Sequence, residues 1–260
     1  MKTVINKILN IFGLQLSRKP KSRFSPDQFE PGGRRRPVGK IELFLEDLAY
    51  RNFYPKVIYD LGANNGAWTS DCMRTFPDAK YYLFEPQYEM HKILENVYCG
   101  ADNVQVLKFG IGRTCEQKVL TIWEDLAGSS FLPDVNSTFL NSGKQRILDI
   151  KSLDYLVDSK LVELPNLVKM DIQGFELEAL QGSSKLFGYT DIFILETSFY
   201  RYNSPSHPIA NEIIDFMWKN DYVLYDFAGF SRRPLDGALG QCDMVFVHIN
   251  SELYKNHSWE

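Results

Sequence analysis

Residues 60–66 read Asp-Leu-Gly-Ala-Asn-Asn-Gly, directly after the apolar run Val57-Ile58-Tyr59 and directly before a segment with helical spacing. Gly62 and Gly66 can adopt positive φ angles and allow a ligand to approach the backbone closely. The helix that follows would present unpaired N–H groups at its first turn. A glycine-rich turn between a buried strand and a helix therefore predicts the first unit of a doubly wound α/β sheet with a ligand site at this turn.

The chain after Lys40 alternates strand patterns with helix patterns, which predicts a parallel sheet covered by helices. The predicted strands are residues 56–60, 80–84, 104–109, 167–171 and 192–196, followed by two aromatic and β-branched runs at 222–227 and 244–249 around a loop at 228–240. The predicted helices are residues 41–52, 68–76, 88–98 and 175–187, the last ended by Gly188, and a helix marked by Ile209, Ile213, Phe216 and Met217. Residues 113–164 interrupt the alternation, and we expect this insert to lie over the carboxyl ends of the strands and to face a substrate.

The basic residues are concentrated at the start of the chain. Residues 1–40 contain ten Lys and Arg against two Asp and Glu, which leaves 19 basic and 31 acidic residues in 41–260. An acidic body of this kind does not favour nucleic-acid binding. We interpret residues 1–40 as a basic arm and linker, with an amphipathic pattern in 1–12 and helix breakers in 17–37. The alternative is that this arm contacts a membrane surface or a partner.

The remaining composition predicts an intracellular globular protein. The 260 residues contain 44% apolar residues, enough for one large core in a single domain over 41–260. The four cysteines lack metal-ligand spacing, and we find neither a secretory signal nor an apolar run of about 18 residues. We therefore expect a cytoplasmic protein that is peripheral to a membrane at most.

The turn at 60–66 disfavours a dinucleotide. A nicotinamide fold would place glycines in the spacing G-x-G-x-x-G, whereas residues 62, 64 and 67 are Gly, Asn and Ala. Asp60 would repel a phosphate and attract the ammonium and sulfonium groups of S-adenosylmethionine. Glu85, at the end of the second predicted strand, is placed to accept both ribose hydroxyls, and we expect it to be half exposed. Pro86 suits the first position of the next helix.

A second acidic segment reads Lys-Met-Asp-Ile-Gln-Gly-Phe-Glu at residues 169–176. In a sheet of order 3-2-1-4-5, Asp171 ends the fourth strand and faces Asp60 across the topological switch point. A carboxylate at this place could orient the cofactor or accept a proton from a substrate. We rank Asp171 first as a base, then Glu196 at the end of the fifth strand, then His207 in a loop that we expect to be solvated.

Together these segments resemble the FkbM-type methyltransferases. The resemblance covers about residues 55–250 and rests on the 60–66 turn, Phe-Glu-Pro at 84–86, the 169–176 segment and Gln241-x-Asp243. It implies O-methylation with S-adenosylmethionine, often of a sugar hydroxyl in a glycan or of a natural product, and a Rossmann-like class I methyltransferase sheet of seven strands with the last antiparallel. The expected cofactor-binding residues are Asp60, Gly62, Asn64, Gly66, Glu85, Pro86, Gly110 and Asp171, the expected catalytic residues are Asp171 and Glu196, and no metal ligand is expected.

Three alternatives stay open from the sequence. Asp171, Glu196 and Asp243 could collect a divalent cation such as magnesium, which would lower the pKa of the acceptor hydroxyl. The chain could be a nicotinamide-dependent oxidoreductase, although the glycine spacing counts against it. It could also be a binding module that keeps the fold without turnover.

Overall fold

The computed structural model describes residues 30–33, 35–202 and 204–259. The strands are β1 Val57–Leu61, β2 Lys80–Phe84, β3 Val104–Leu107, β4 Gly110–Ile111, β5 Glu116–Thr121, β6 Gln145–Lys151, β7 Leu167–Met170, β8 Ile192–Ser198, β9 Tyr222–Arg232 and β10 Leu239–His248. The helices are α1 Ile41–Tyr50, α2 Ala67–Thr75, α3 Tyr88–Val97, α4 Ser137–Asn141, α5 Leu153–Asp158, α6 Glu176–Gln181 and α7 Ala210–Lys219. The predicted amphipathic helix in residues 1–12 lies outside the described residues.

Seven strands form the main sheet in the order β3-β2-β1-β7-β8-β10-β9. The first five strands in this order pair in parallel with their neighbours. β10 is antiparallel to both β8 and β9. This arrangement confirms the predicted doubly wound sheet with an antiparallel last strand. The chain order reverses between β1 and β7, so the loops after these two strands flank a crevice at the carboxyl edge.

The central strands are apolar because both faces of the sheet are covered. Every residue of β1 is buried. Tyr59 and Leu61 point into one core cluster and Ile58 into a second cluster on the opposite face, as the two-residue period of a strand requires. A parallel strand buried on both faces reads as the continuous apolar run seen in the sequence.

Two strands of the insert, β5 and β6, form a small sheet with β4, which directly precedes the insert, in the order β4-β6-β5. Its core contains Leu120, Phe131 and Ile150, together with Phe175 from the loop that follows β7. The rings of Phe131 and Phe175 lie 5.6 Å apart between centroids. This packing fixes the insert against the segment that carries Asp171.

The predicted elements before β9 lie within two residues of the observed ones, apart from the helix at 175–187. That prediction was wrong, because α6 ends at Gln181. The next residue, Gly182, packs so tightly that a Cβ would lie 2.3 Å from the carbonyl oxygen of Gly112. Gly188 does have a positive φ of 83°, but it belongs to a later turn.

The predicted loop at 228–240 was also wrong. β9 and β10 extend through most of it and form a long hairpin beyond the carboxyl edge of β8. The pairing of β9 with β10 contains register shifts at Leu239/Gln241 and at Asp243/Met244. Such shifts break the alternation of apolar and polar residues, which removes the sequence signal of a strand.

The predicted boundary between arm and domain remains to be tested. The residues from Val38 onward form one compact unit. Within the described part of the chain, no helix is long and apolar enough to cross a bilayer.

We predict that deleting residues 1–36 leaves a folded domain whose Tm lies within about 4 °C of the full chain, as for a change of about 1 kcal/mol. The reason is that the deleted segment is rich in proline, glycine and charge, and that every strand of the described main sheet lies after residue 56. Calorimetry of both chains measures the difference. Aggregation or a much lower Tm of the short chain would show that the arm belongs to the fold.

Candidate active site

A cavity of about 250 Å³ lies at the carboxyl ends of β1, β2, β7 and β8. Seven of the expected site residues line it, namely Gly62, Asn64, Glu85, Pro86, Gly110, Asp171 and Glu196. The insert contributes Leu120, Ala127, Ser129 and Phe131 to the same wall. Asp60 and Gly66 do not line the cavity.

The glycines of the first turn have the predicted positive φ angles, 81° at Gly62 and 80° at Gly66. At Gly62 the group that approaches the backbone closely is the carbonyl of Asp171. A Cβ at Gly62 would lie 2.0 Å from that carbonyl oxygen. The carbonyl of Gly66 accepts a hydrogen bond from the Tyr98 hydroxyl at 2.5 Å. The turn after β1 is therefore held directly against the end of β7.

Asp60 stands behind the cavity wall, which corrects the expectation that it faces Asp171 across the crevice. Its carboxylate is buried and accepts a 2.6 Å hydrogen bond from the Thr69 hydroxyl. Burial raises the pKa of Asp60 to about 6, and the bond from Thr69 opposes that rise. The contact ties the end of β1 to α2.

Glu85 is only 2% exposed, so the expectation of a half-exposed side chain was wrong. One carboxylate oxygen accepts the N–H of Asn64 and the other accepts the N–H of Gln87, both at 2.8 Å. Each carboxylate oxygen has a second acceptor site, so Glu85 can still accept hydrogen bonds from a ligand. Burial raises the pKa of Glu85 to about 7, partly offset by the two backbone N–H groups.

Asp171 and Glu196 are joined by an amide that the sequence analysis did not single out. Nε2 of Gln173 donates to Oδ1 of Asp171 at 2.7 Å and to Oε2 of Glu196 at 2.8 Å. Gln173 also lines the cavity. The sequence signal for Gln173 was its position between Asp171 and Gly174 in the 169–176 segment.

The pKa values of the two carboxyl groups are shifted in opposite directions. Burial by itself would raise the pKa of Asp171, but the ammonium of Lys169, 3.1 Å from Oδ2, and the hydrogen bonds hold it below its usual value. Burial and the neighbouring Asp171 charge raise the pKa of Glu196 well above its usual value. Two close carboxyl groups titrate as a pair, with the first proton held mainly on Glu196 and Asp171 ionised.

Gln173 is held in an uncommon conformation by Glu176. The φ of Gln173 is 55°, in the left-handed region. The buried Glu176 carboxylate accepts the N–H groups on either side of it, from Ile172 at 3.0 Å and from Gly174 at 3.2 Å. The Ser130 hydroxyl of the insert donates to the Gln173 carbonyl at 2.8 Å. These contacts fix the backbone from which the bridging amide extends.

His207 is not a solvated loop residue, contrary to expectation. It is 1% exposed, its Nε2 lies 2.8 Å from the Ser198 hydroxyl, and its ring packs 4.8 Å from that of Tyr202. Burial lowers its pKa. His207 therefore supports the end of β8 and does not line the cavity.

The metal alternative does not fit the acidic residues. The Lys169 ammonium stands between Asp171 and Asp243, 3.1 Å and 3.3 Å from their oxygens, where a cation would have to bind. Residues 30–33, 35–202 and 204–259 contain no group of three or more His, Cys, Asp or Glu side chains arranged to hold a metal ion. The trio of Asp171, Glu196 and Asp243 is thus organised around a lysine.

We predict that Glu176→Ala lowers the free energy of unfolding by about 1–3 kcal/mol, because it leaves two backbone N–H groups without their acceptor. Glu176→Gln keeps an acceptor oxygen and should lose less. Glu178→Ala is the matched control, since its partner Arg113 is exposed and a surface pair contributes at most about 1 kcal/mol. Denaturant unfolding measures all three, and equal losses for Glu176→Ala and Glu178→Ala would contradict the assignment.

Comparison with known proteins gives the family. Methyltransferase 1 of Beauveria bassiana (strain ARSEF 2860) is 26% identical over 146 residues, 48% of this chain and 57% of that protein. Hexuronic acid methyltransferase AglP of Haloferax volcanii is 27% identical over 164 residues, 60% of this chain and 60% of that protein. The chain thus spans less than two thirds of the length of these curated relatives.

Among solved structures, Aeropyrum pernix fibrillarin with natively bound S-adenosyl-L-methionine superposes with a TM-score of 0.41 and 12% identity, covering 84% of this chain and 71% of that chain. The family model described as the methyltransferase FkbM domain matches residues 60–224, which is more than half of the chain. The protein therefore belongs to the FkbM methyltransferase domain family.

Proposed function

We propose that the protein is an S-adenosylmethionine-dependent O-methyltransferase that methylates a hydroxyl of a sugar, in a glycan, a polysaccharide or a natural product. One observation carries the proposal. A single cavity has the Glu85 carboxylate at the end of β2 and the Asp171, Gln173 and Glu196 cluster at the ends of β7 and β8. Membership of the FkbM family supports methyl transfer as the chemistry.

The residues around Glu85 fit the nucleoside of this cofactor. The free acceptor sites of the Glu85 carboxylate suit the two neighbouring ribose hydroxyls, and the N–H of Asn64 fixes the carboxylate in place. The apolar side chains of Phe84, Ile111 and Phe131 line the same cavity and suit the faces of a purine. Bound there, S-adenosylmethionine supplies a methyl group activated by the positive charge of its sulfur.

Asp171 is the base in this proposal. An alcohol is a poor nucleophile until its proton leaves, and a positioned base contributes roughly 10²- to 10⁴-fold to the rate. The Asp171 carboxylate, whose pKa is held below its usual value, is proposed to take the proton of the acceptor hydroxyl, and the raised pKa of Glu196 makes Glu196 the second candidate. Gln173 keeps the two groups in place because its amide bonds to both.

The carbohydrate acceptor is supported by two observations. The relative from Haloferax volcanii is named a hexuronic acid methyltransferase. The chain after β8 also carries two exposed rings, Tyr200 at 37% and Tyr202 at 50%, at the same edge as Glu196. The Tyr202 hydroxyl lies 3.0 Å from the hydroxyl of Ser198, the last residue of β8. The Arg233 guanidinium packs over the Tyr200 ring and the His207 ring packs against Tyr202, and the ring surface that stays exposed suits the apolar faces of a sugar.

The proposal is tested by incubating the protein with methyl-labelled S-adenosylmethionine and a panel of acceptors. The panel contains hexuronic acid glycosides, neutral glycosides, phenols and RNA. We expect label on a sugar hydroxyl, identified by mass spectrometry of the product. Transfer only to phenols, or only to the bases of RNA, would refute the sugar assignment. A thermal shift with NAD but none with S-adenosylhomocysteine would refute the methyltransferase itself.

We predict that Glu85→Ala weakens the binding of S-adenosylhomocysteine by about 2–4 kcal/mol, since two charge-assisted hydrogen bonds are lost. The affinity should also depend on pH. Ribose hydroxyls donate to the ionised carboxylate, whose pKa is about 7, so binding is strong above this pH and weakens below it. Between pH 8 and pH 6 we expect about a tenfold loss of affinity.

Calorimetry across this pH range measures both effects. Glu85→Gln should bind weakly with little dependence on pH, and the exposed Glu95→Gln on α3 should behave like the unchanged protein. A pH dependence that survives in Glu85→Gln would assign it to another group.

We predict that Asp171→Asn lowers kcat by about 10² or more and leaves the affinity for S-adenosylhomocysteine nearly unchanged, because the amide cannot take a proton. Asp243→Asn is the control, since Asp243 also contacts Lys169 but does not line the cavity. Single-turnover kinetics with the best acceptor measure the step. Normal turnover of Asp171→Asn with loss in Glu196→Gln would transfer the role of base to Glu196.

A further inference from the structure

A second cavity, of about 270 Å³, lies between the insert and the start of α6. Its volume is close to the 250 Å³ of the first cavity. Phe131 of the insert lines both cavities, and the adjacent residues Gln173 and Gly174 line one each. A ligand in the second cavity would therefore lie beside the segment that carries Gln173, whose amide holds Asp171 and Glu196.

The second cavity is lined by two opposite charges that do not bond to each other. Lys118 of β5 and Asp134 of the insert both line it. The Lys118 ammonium lies 5.0 Å from the centroid of the Phe175 ring, and neither Lys118 nor Asp134 has an ion-pair partner among the residues that the structure describes. Glu178, at the same cavity, is already paired with Arg113 at 2.9 Å. One cation and one carboxylate are therefore open to a ligand.

Both of these charges are held in place by contacts of their backbone. Lys118 lies within β5, opposite Leu148 of β6. The carbonyl oxygen of Asp134 accepts a 2.8 Å hydrogen bond from the buried side chain of Gln145. The second cavity is thus formed before a ligand binds, which lowers the entropic cost of binding.

The lining of the second cavity indicates the chemistry of its ligand. A ligand with a net charge of either sign would face a like charge, at Lys118 or at Asp134. A sugar hydroxyl has one donor and two acceptor positions, so it can accept from the ammonium and donate to the carboxylate. Leu132, Leu177 and Pro208 line the same cavity and suit the C–H face of a sugar ring. Since pockets for drug-sized ligands begin at about 300 Å³, this volume suits one neutral sugar residue.

We propose that the second cavity binds a neutral sugar residue next to the one that is methylated, so that the acceptor is an oligosaccharide or a longer glycan. This inference rests on the proposed function and adds the site that recognises the length of the acceptor. Lys118 and Asp134 bind hydroxyls of the neighbouring sugar, while the sugar in the first cavity presents its own hydroxyl to Asp171.

The test starts from the monosaccharide methyl glycoside that takes up label in the acceptor panel. Two disaccharides extend it by one glucose residue, either in place of the methyl group or on a ring hydroxyl that is not methylated. We expect at least one disaccharide to have a KM at least about tenfold lower with kcat little changed, because hydrogen bonds to charged groups add to its binding. Equal KM values for the three acceptors would overturn the inference.

Two variants assign the gain to the second cavity. Lys118→Met keeps the apolar stem and removes the ammonium, and it should raise KM for the better disaccharide about tenfold more than for the monosaccharide. Asp134→Ala removes the carboxylate at an exposed position and should act in the same direction, which tests the inference even if Lys118→Met disturbs the small sheet. Lys151→Met is the matched control, since the Lys151 ammonium also lies over a ring, 5.5 Å from the centroid of Phe109, but does not line the second cavity.

The outcomes separate this inference from the proposed function. A loss that is the same for Lys151→Met, or the same for the monosaccharide and the disaccharide, would overturn the second sugar site and leave the methyltransferase intact. If no sugar in the panel takes up label, the proposed function fails first and this inference fails with it.

Discussion

The buried ammonium of Lys169 is the interaction on which the arrangement of the site depends. It contacts Asp171 on the loop after β7 and Asp243 on β10, with the strand of Glu196 between them. Burial alone would lower the pKa of Lys169, but the surrounding carboxylates raise it and keep it charged. A buried charge is tolerated only with such partners. Because its ammonium lies 3.1 Å from Oδ2 of Asp171, Lys169 lowers the pKa of that carboxyl group.

A second constraint joins the cofactor turn to this cluster. The N–H of Asp171 donates to the carbonyl of Leu61 at 2.9 Å, and Gly62 leaves no room for a side chain against the Asp171 carbonyl. The end of β1 and the end of β7 are therefore one rigid unit. A methyl donor bound at the turn and a base at Asp171 would keep a fixed separation, as in-line transfer requires.

Most of the sheet could be predicted from the sequence because its strands are short apolar runs between turns with glycine. The position of Glu85 at a strand end was predicted, but its burial was not, since residues of the distant insert close the cavity above it. Gln87 and Gln173 carried no periodic signal, and their roles depend on partners far away in the chain. The α6 prediction failed because Leu186 remains in the core without being helical. The long hairpin was hidden by its glycines and register shifts.

The insert touches both halves of the cavity through single hydrogen bonds. The carbonyl of Leu126 receives the amide of Gln87 beside Glu85, and the hydroxyl of Ser130 donates to the backbone of Gln173 beside Asp171. Lifting residues 126–130 would therefore break both contacts at once. One short segment of the insert is therefore shared by the Glu85 side and the Asp171 side of the cavity, so a substitution within residues 126–130 can disturb both sides together.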